Sequence, residues 1–384
     1  MGKIIPPWAA LIGKTNPPIT IALFALFACP IWASDVPTPG APKIKISQPT
    51  LAASTKTGAL SYSAFLRSYG TNPTNFVLNQ FNRYPVVLLG EYHWQTQQIA
   101  FVKSLIRPLV EQAGVKTFIF EFGDRHSQGI FDKFMQSSDL DSDSRALLSQ
   151  VLGSVARTNP KSQNFQTEEY AGVYEELWRV SREHPGQVKV RLACSEPSEM
   201  DEINALLPFL RKYGCPVHDL ESFMALDKAK VNQIIDEHEE EFRTLNSELT
   251  LKFDLQKDQN FISLASQALA AKEKTFVWAG RNHLIAHTRD FRRSIGYELN
   301  QRYPGKIFTA ILHDAGQLPG TAKPFGAFME KEILNYGRNP IAFPLNSGPF
   351  GEFKLDDTHV LRDIADGYIF LCPVSAYTQT TPLP

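Results

Sequence analysis

The stretch Pro85-Val86-Val87-Leu88-Leu89-Gly90-Glu91-Tyr92-His93 decides the fold. An unbroken aliphatic run with no polar residue on either side is what a short strand needs when both faces are covered. Gly90 then suits a tight exit and leaves room for a ligand close to the backbone. Beyond it, a carboxylate and an imidazole two residues apart in extended backbone point the same way, so Glu91 and His93 address one point above the sheet edge. Taken alone the tetrad also fits a Glu serving a helix N-terminus and a His in a surface loop.

Working outward, five more runs of the same character appear, at Lys116 to Phe122, Val188 to Cys194, Thr275 to Gly280, Ile307 to Leu312 and Tyr368 to Cys372. Between them lie segments of helical period. Ile99, Val102, Ile106, Leu109 and Val110 draw one apolar stripe; Tyr170, Val173, Tyr174, Leu177 and Trp178 draw a second; Phe291, Ile295 and Leu299 draw a third. Each stripe is core-facing by default, aromatics included. The alternation predicts an α/β fold with a mostly parallel central β-sheet covered by helices on both faces. Residues 198–255 fit the alternation least and are expected to form a helical insertion or lid. The acidic run Asp236 to Glu241 within them is expected to be a solvated helix face.

With 384 residues, 43% of them hydrophobic, the chain can bury a substantial core. The net charge of -1, with both signs interspersed, argues against a nucleic-acid partner. Lys3 and Lys14 precede an uncharged run from Ile19 to Ala33 that is short for a membrane span, so 1–33 is expected to be a signal peptide. Cleavage after Ala33 is favoured over lipidation at Cys29, whose Leu26-Phe27-Ala28-Cys29 box carries a bulky Phe27; lipidation would give a membrane tether. A linker rich in Pro, Ser and Thr spans 34–57, and the domain is expected over 58–378. The protein is thus expected to be exported, periplasmic or associated with the cell envelope. Cys194, Cys215 and Cys372 then permit at most one internal disulfide, and buried apolar thiols are the simpler reading.

Two further strand ends carry candidate chemistry. Glu121 sits inside Phe118-Ile119-Phe120-Glu121-Phe122-Gly123, where a carboxylate must find a partner or shift its pKa. Trp278-Ala279-Gly280-Arg281-Asn282-His283 is again a buried strand leading through Gly into polar residues. Ligands bind outside the carboxyl ends of strands in open parallel sheets, and all three clusters lie at such ends. Glu91, His93, Glu121 and His283 are the expected catalytic residues. Tyr92, Arg281, Asn282, Ser195, Glu196 and Asp258 are candidates to line the substrate site, and His93, Glu121 and His283 form a candidate metal set. Arg281 could serve an anionic group or neutralise Glu121. His287, four residues after His283, would share its face if a helix starts at the motif. Asp258, after Lys257, is most simply the N-cap of a helix running to Ala271.

Taken together, Leu89-Gly90-Glu91-Tyr92-His93, Glu121-Phe122-Gly123 and Gly280-Arg281-Asn282-His283 resemble, in order and strand context, the motifs of the superfamily joining erythromycin esterases, ChaN-type haem-binding lipoproteins and Tiki/TraB proteins. Lys257-Asp258 with Phe261 to Ala265 is similar to an Arg-Asp helix motif of a ChaN-like bacterial branch. The likeness spans roughly 60 to 375 and is weakest over 198–255. It implies a parallel-sheet α/β fold with a site of paired Glu and His residues, serving activated-water hydrolysis in the esterases. The i, i+2 spacing of Glu91 and His93 sits closer to the ChaN pattern, and Tyr92 and Trp94 depart from an Asp that often follows the His.

Three functions compete at this point. One is a hydrolase using the Glu/His cluster, with or without a divalent metal, to activate water against an ester or amide-type small molecule. The second is haem binding without catalysis, with Tyr92 a conceivable axial ligand. The third is a scaffold that only binds partners at the envelope.

Overall fold

The computed structural model describes residues 60–154, 165–195, 199–219, 222–223, 225–288, 295–314 and 325–383. The expected signal peptide, the linker, Cys29, Glu196 and Phe291 lie outside them. The described chain divides into two compact units, one holding 122–166 and 194–257, the other the described residues of 31–121, 167–193 and 258–384. No helix among the described residues is long and apolar enough to cross a membrane.

The second unit is organised by a seven-stranded sheet. Its strands are β1 (Val86–Glu91), β2 (Val115–Asp124), β3 (Lys189–Cys194), β4 (Lys274–Gly280), β5 (Ile307–Leu312), β6 (Ile341–Pro344) and β7 (Gly367–Phe370), in the spatial order β3-β2-β4-β1-β5-β7-β6. β1 pairs in parallel with β4 on one side and β5 on the other, and β2 with β4 and β5 with β7 are also parallel. All six residues of β1 and all six of β5 are buried, as central strands covered on both faces must be.

Alternation along the strands explains which helix covers which face. Val86 and Leu88 of β1, Ile119 of β2 and Val277 and Ala279 of β4 pack with Phe261, Ile262 and Ala265 of the helix Glu239–Ala270 and with Ile295 and Leu299 of Ile295–Arg302. Residues of opposite parity, Phe120 and Trp278, meet Tyr170 and Tyr174 of the helix Glu168–Glu183 on the other face. That helix packs in turn on Thr96–Glu111, whose stripe Ile99, Val102, Ile106, Leu109 and Val110 is buried as its spacing predicts. The helices on the two faces thus end up opposite different side chains of the same strands.

The strand expected at Tyr368 to Cys372 is β7, which ends at Phe370 and leaves Cys372 beyond it, and β6 is absent from the sequence-based reading. β6 is four residues long, runs antiparallel to β7 and ends in Pro344, so its apolar signal is too short to stand out. Its outward side is closed by Thr71: Thr71 N donates to Ala342 O and Ala342 N to Thr71 O, both at 2.9 Å. Cys194, Cys215 and Cys372 are free thiols, the first two buried.

In the first unit, Leu206, Leu210, Val217, Phe223, Ile234 and Phe242 make a helical core. Part of its acidic run is engaged in exposed ion pairs, Glu239 with Arg243 and Glu241 with Lys212.

Candidate active site

The register of β1 against β4 sets Glu91 level with Gly280 at the carboxyl end of the sheet. Glu91 has the parity of Leu89 and faces the side covered by the helix Glu168–Glu183. There its Oε1 accepts two hydrogen bonds, from the Tyr170 hydroxyl at 2.5 Å and from His93 Nδ1 at 2.9 Å. A carboxylate only accepts, so the bond fixes the proton of neutral His93 on Nδ1 and leaves Nε2 as the basic nitrogen. Glu91 Oε2 is buried and has no hydrogen-bond partner among the described residues. Tyr170 is wholly buried, and that burial first, then the charge of Glu91, holds its phenol well above the ordinary range. It therefore acts as a donor to Glu91. Thr167 accepts a hydrogen bond from Tyr170 N and caps the start of this helix, which fixes the height at which the phenol arrives.

Glu121 has the parity of Ile119 and belongs to the opposite face. Its Oε2 accepts from Gly280 N at 2.7 Å, and its Oε1 lies 3.3 Å from His283 Nε2. On its far side His283 Nδ1 meets Asp258 Oδ1 at 3.1 Å. Asp258 stands one turn before Phe261 and Ile262 on the helix that covers this face. An imidazole between two carboxylates satisfies both when it carries two protons, so Asp258, His283 and Glu121 form a line suited to a cationic ring.

The two arms meet at Gly280. A Cβ at this position would fall 2.8 Å from His93 Nε2, 2.9 Å from His93 Cε1 and 3.4 Å from Glu121 Oε2. The glycine is needed for close approach, since its φ of -55° is open to any residue. It brings the basic edge of His93 and the carboxylate of Glu121 over one spot, with the His93 side chain 25% exposed and that of His283 only 6%. His93 is the most solvent-exposed member of the cluster.

The remaining expected residues are placed less uniformly. Arg281 forms a buried ion pair with Asp314, and its guanidinium lies 5.7 Å from the centroid of the exposed Tyr92 ring. Asn282 Oδ1 is buried with no hydrogen-bond partner among the described residues. Ser195 is buried and lies in the other unit. Asp258 is not an N-cap: the helix begins at Glu239, and Asp258 sits inside it. His287 does not share a face with His283, because the motif folds as a single 3-10 turn, Arg281–His283, and the chain then diverges. His287 Nε2 instead meets Asp366 Oδ1 at 2.8 Å. Tyr170 and Asp314 were not singled out as site residues, Tyr170 because a phenol in an aromatic stripe looks like any core ring.

For a metal, the donor geometry is unfavourable. The ligand atoms of His93, Glu121 and His283 do not converge within 4.8 Å of one another, whereas among the described residues those of the surface set Glu111, Glu183 and His184 do. That set is occupied by Arg107, which pairs with both glutamates. Glu91 with His93, and Asp258 with His283 and Glu121, pair carboxylates with imidazoles directly.

No protein-family model and no curated protein sequence matches the chain. Among solved structures it is similar to a succinoglycan biosynthesis protein, with 11% identity over 84% of this chain and 98% of the other and a TM-score of 0.54. It is also similar to a Bacillus cereus protein, with 12% identity over 84% and 98% and a TM-score of 0.51. The erythromycin esterase EreC matches with 10% identity over 79% and 93% and a TM-score of 0.49. ChaN of Campylobacter jejuni, described with cofacial haem, matches with 15% identity over 64% and 88% and a TM-score of 0.35. At these identities the two structures with TM-scores above 0.5 share the fold with this chain, and the fold alone.

Proposed function

We propose that the chain is a hydrolase that activates water with His93 against an ester or amide-type bond of a small molecule. The observation that carries this is the close approach at Gly280, where the basic edge of one carboxylate-oriented imidazole adjoins the carboxylate that holds a second. In the first step His93 Nε2 takes a proton from the attacking water, and Glu91, held by Tyr170, balances the imidazolium that results. Doubly protonated His283, held between Asp258 and Glu121, supplies positive charge toward the developing oxyanion, and His93 returns the proton it took from the water to the leaving group. Glu121 ties this second arm to the Gly280 amide and so keeps the two imidazoles in a fixed relation. The run from Ile19 to Ala33 supports action outside the cytoplasm, at the envelope.

The test is hydrolysis of a panel of p-nitrophenyl esters and amides by the purified protein. We expect turnover that is lost in both His93→Ala and His283→Ala while the circular dichroism spectrum is kept. No turnover, together with a Soret shift on haem titration that Tyr92→Phe abolishes, would replace the hydrolase by a haem-binding protein.

A further inference from the structure

The residue after His93 is in a conformation that needs an external hold. Trp94 has φ of 63°, the left-handed region that bulky side chains avoid, and such a turn persists only where the surroundings over-determine it. Its N–H donates to the Tyr170 hydroxyl at 3.3 Å, which ties the turn to the site itself. Its carbonyl is held from elsewhere: Thr380 N donates to Trp94 O at 3.2 Å.

That contact is one of a series made by the segment 373–382. Thr96 N donates to Thr378 O at 3.0 Å, and Gln97 grips the same segment with both ends of its amide. Gln97 Nε2 donates to Ala376 O at 2.8 Å, and Gln97 Oε1 accepts from Thr378 N at 3.0 Å. Further along, Glu168 N donates to Thr381 O at 3.0 Å, and Thr381 N to Glu169 Oε2 at 2.9 Å. The segment thus fastens the turn that follows His93 and, with the same few residues, the first turn of the helix that presents Tyr170. Its near end is anchored by Val374 N on Glu330 Oε2 at 2.9 Å and by the Tyr377 hydroxyl on His313 O at 2.6 Å.

We propose that residues 373–382 are a positioning strap for the Glu91–His93 pair. The strap holds the left-handed Trp94 turn and the Tyr170 helix at a fixed separation, and through them the two donors that converge on Glu91 Oε1. These bonds converge on one loop and one helix start, the two elements that orient Glu91 and His93, and this calls for a reason beyond packing. Preorganisation supplies it, because a misplacement of about 1 Å at a general base costs on the order of a hundredfold in rate.

The inference rests on the hydrolase reading for its rate consequence alone, and its structural content is testable separately. In the full chain, Gln97→Ala removes all three amide bonds to the strap, from Nε2 to Ala376 O and Thr378 Oγ1 and from Thr378 N to Oε1, and Gln97→Glu keeps the acceptor for Thr378 N while losing the donor. Expected are faster amide exchange at Trp94 and Thr96 and an altered NMR titration of His93 in Gln97→Ala, with Gln97→Glu in between. On p-nitrophenyl butyrate kcat should fall about tenfold or more while KM changes by less than about twofold, the signature of a displaced base. Unchanged exchange and an unchanged His93 titration in Gln97→Ala would overturn the strap, whether or not the ester is cleaved. If the wild type cleaves no ester but exchange and titration move as expected, the strap stands and the hydrolase reading falls.

Discussion

The ring of His93 fills the volume that a side chain on Gly280 would need, with Nε2 and Cε1 2.8 and 2.9 Å from the position of the missing Cβ. These distances are too short for a real carbon, so Gly280→Ala must displace His93 or bend β4. We expect the fold to survive and hydrolysis to fall about a hundredfold, because the imidazole swings away from Glu121. Ester kinetics beside a thermal melt test this; a Gly280→Ala protein with wild-type kcat would remove the close approach from the mechanism.

Tyr170→Phe deletes one of the two donors on Glu91 Oε1 and leaves the ring stacked on Trp278. A hydrogen bond to a charged group contributes roughly 1.5–3 kcal/mol, so a rate loss of about tenfold to a hundredfold is expected. Burial and Glu91 hold the phenol well above its ordinary value, so no alkaline limb below about pH 10 belongs to it. The pH-rate profile of the variant should therefore lose height while its alkaline limb stays in place.

Arg281 and Asp314 form the buried ion pair beside the site. Removing one partner strands a charge, and Arg281→Ala or Asp314→Ala should cost about 3–5 kcal/mol of stability. The apolar pair Arg281→Met with Asp314→Leu should recover most of that loss in urea unfolding. If each single variant unfolds like the wild type, the pair is not structural.

His287 gives the pH dependence of stability a definite sign. Burial opposes its charge, but the hydrogen bond and charge of Asp366, with Asp363 behind, outweigh that and raise the imidazole above its ordinary value. A histidine whose folded value is raised adds stability that is fully present below its unfolded value of about 6.5 and is lost as pH climbs through the folded value. His287→Gln should flatten the fall in melting temperature on the alkaline side of about pH 6.5. Parallel wild-type and variant curves there would contradict the assignment.

The parts of this molecule legible in the sequence share one physical cause. A strand buried on both faces must be apolar throughout, and its abrupt end in a Gly followed by charged residues marks the sheet's carboxyl edge; Glu91, Glu121 and His283 could be found this way. Asp258 was visible as a residue but not in its position, because a Lys-Asp pair before an apolar stripe looks like a helix start, while the helix already runs from Glu239. What identifies Asp258 is its tertiary partner, His283, 25 residues away. Tyr170 was hidden for a related reason: the spacing that buries its ring is the same with or without the hydroxyl, and only the position of Glu91 gives that oxygen a task. The strap has no periodicity of its own, since its bonds run from the backbone to distant loops.

The closure of β6 bears on behaviour in crowded solution. Ala342 gives both of its outward-facing backbone groups to Thr71, and Pro344, next on that side, has no amide hydrogen to offer. An extended stretch of another polypeptide therefore finds no open hydrogen-bonding template there, and fibrillar growth by edge addition is discouraged along this margin of the protein.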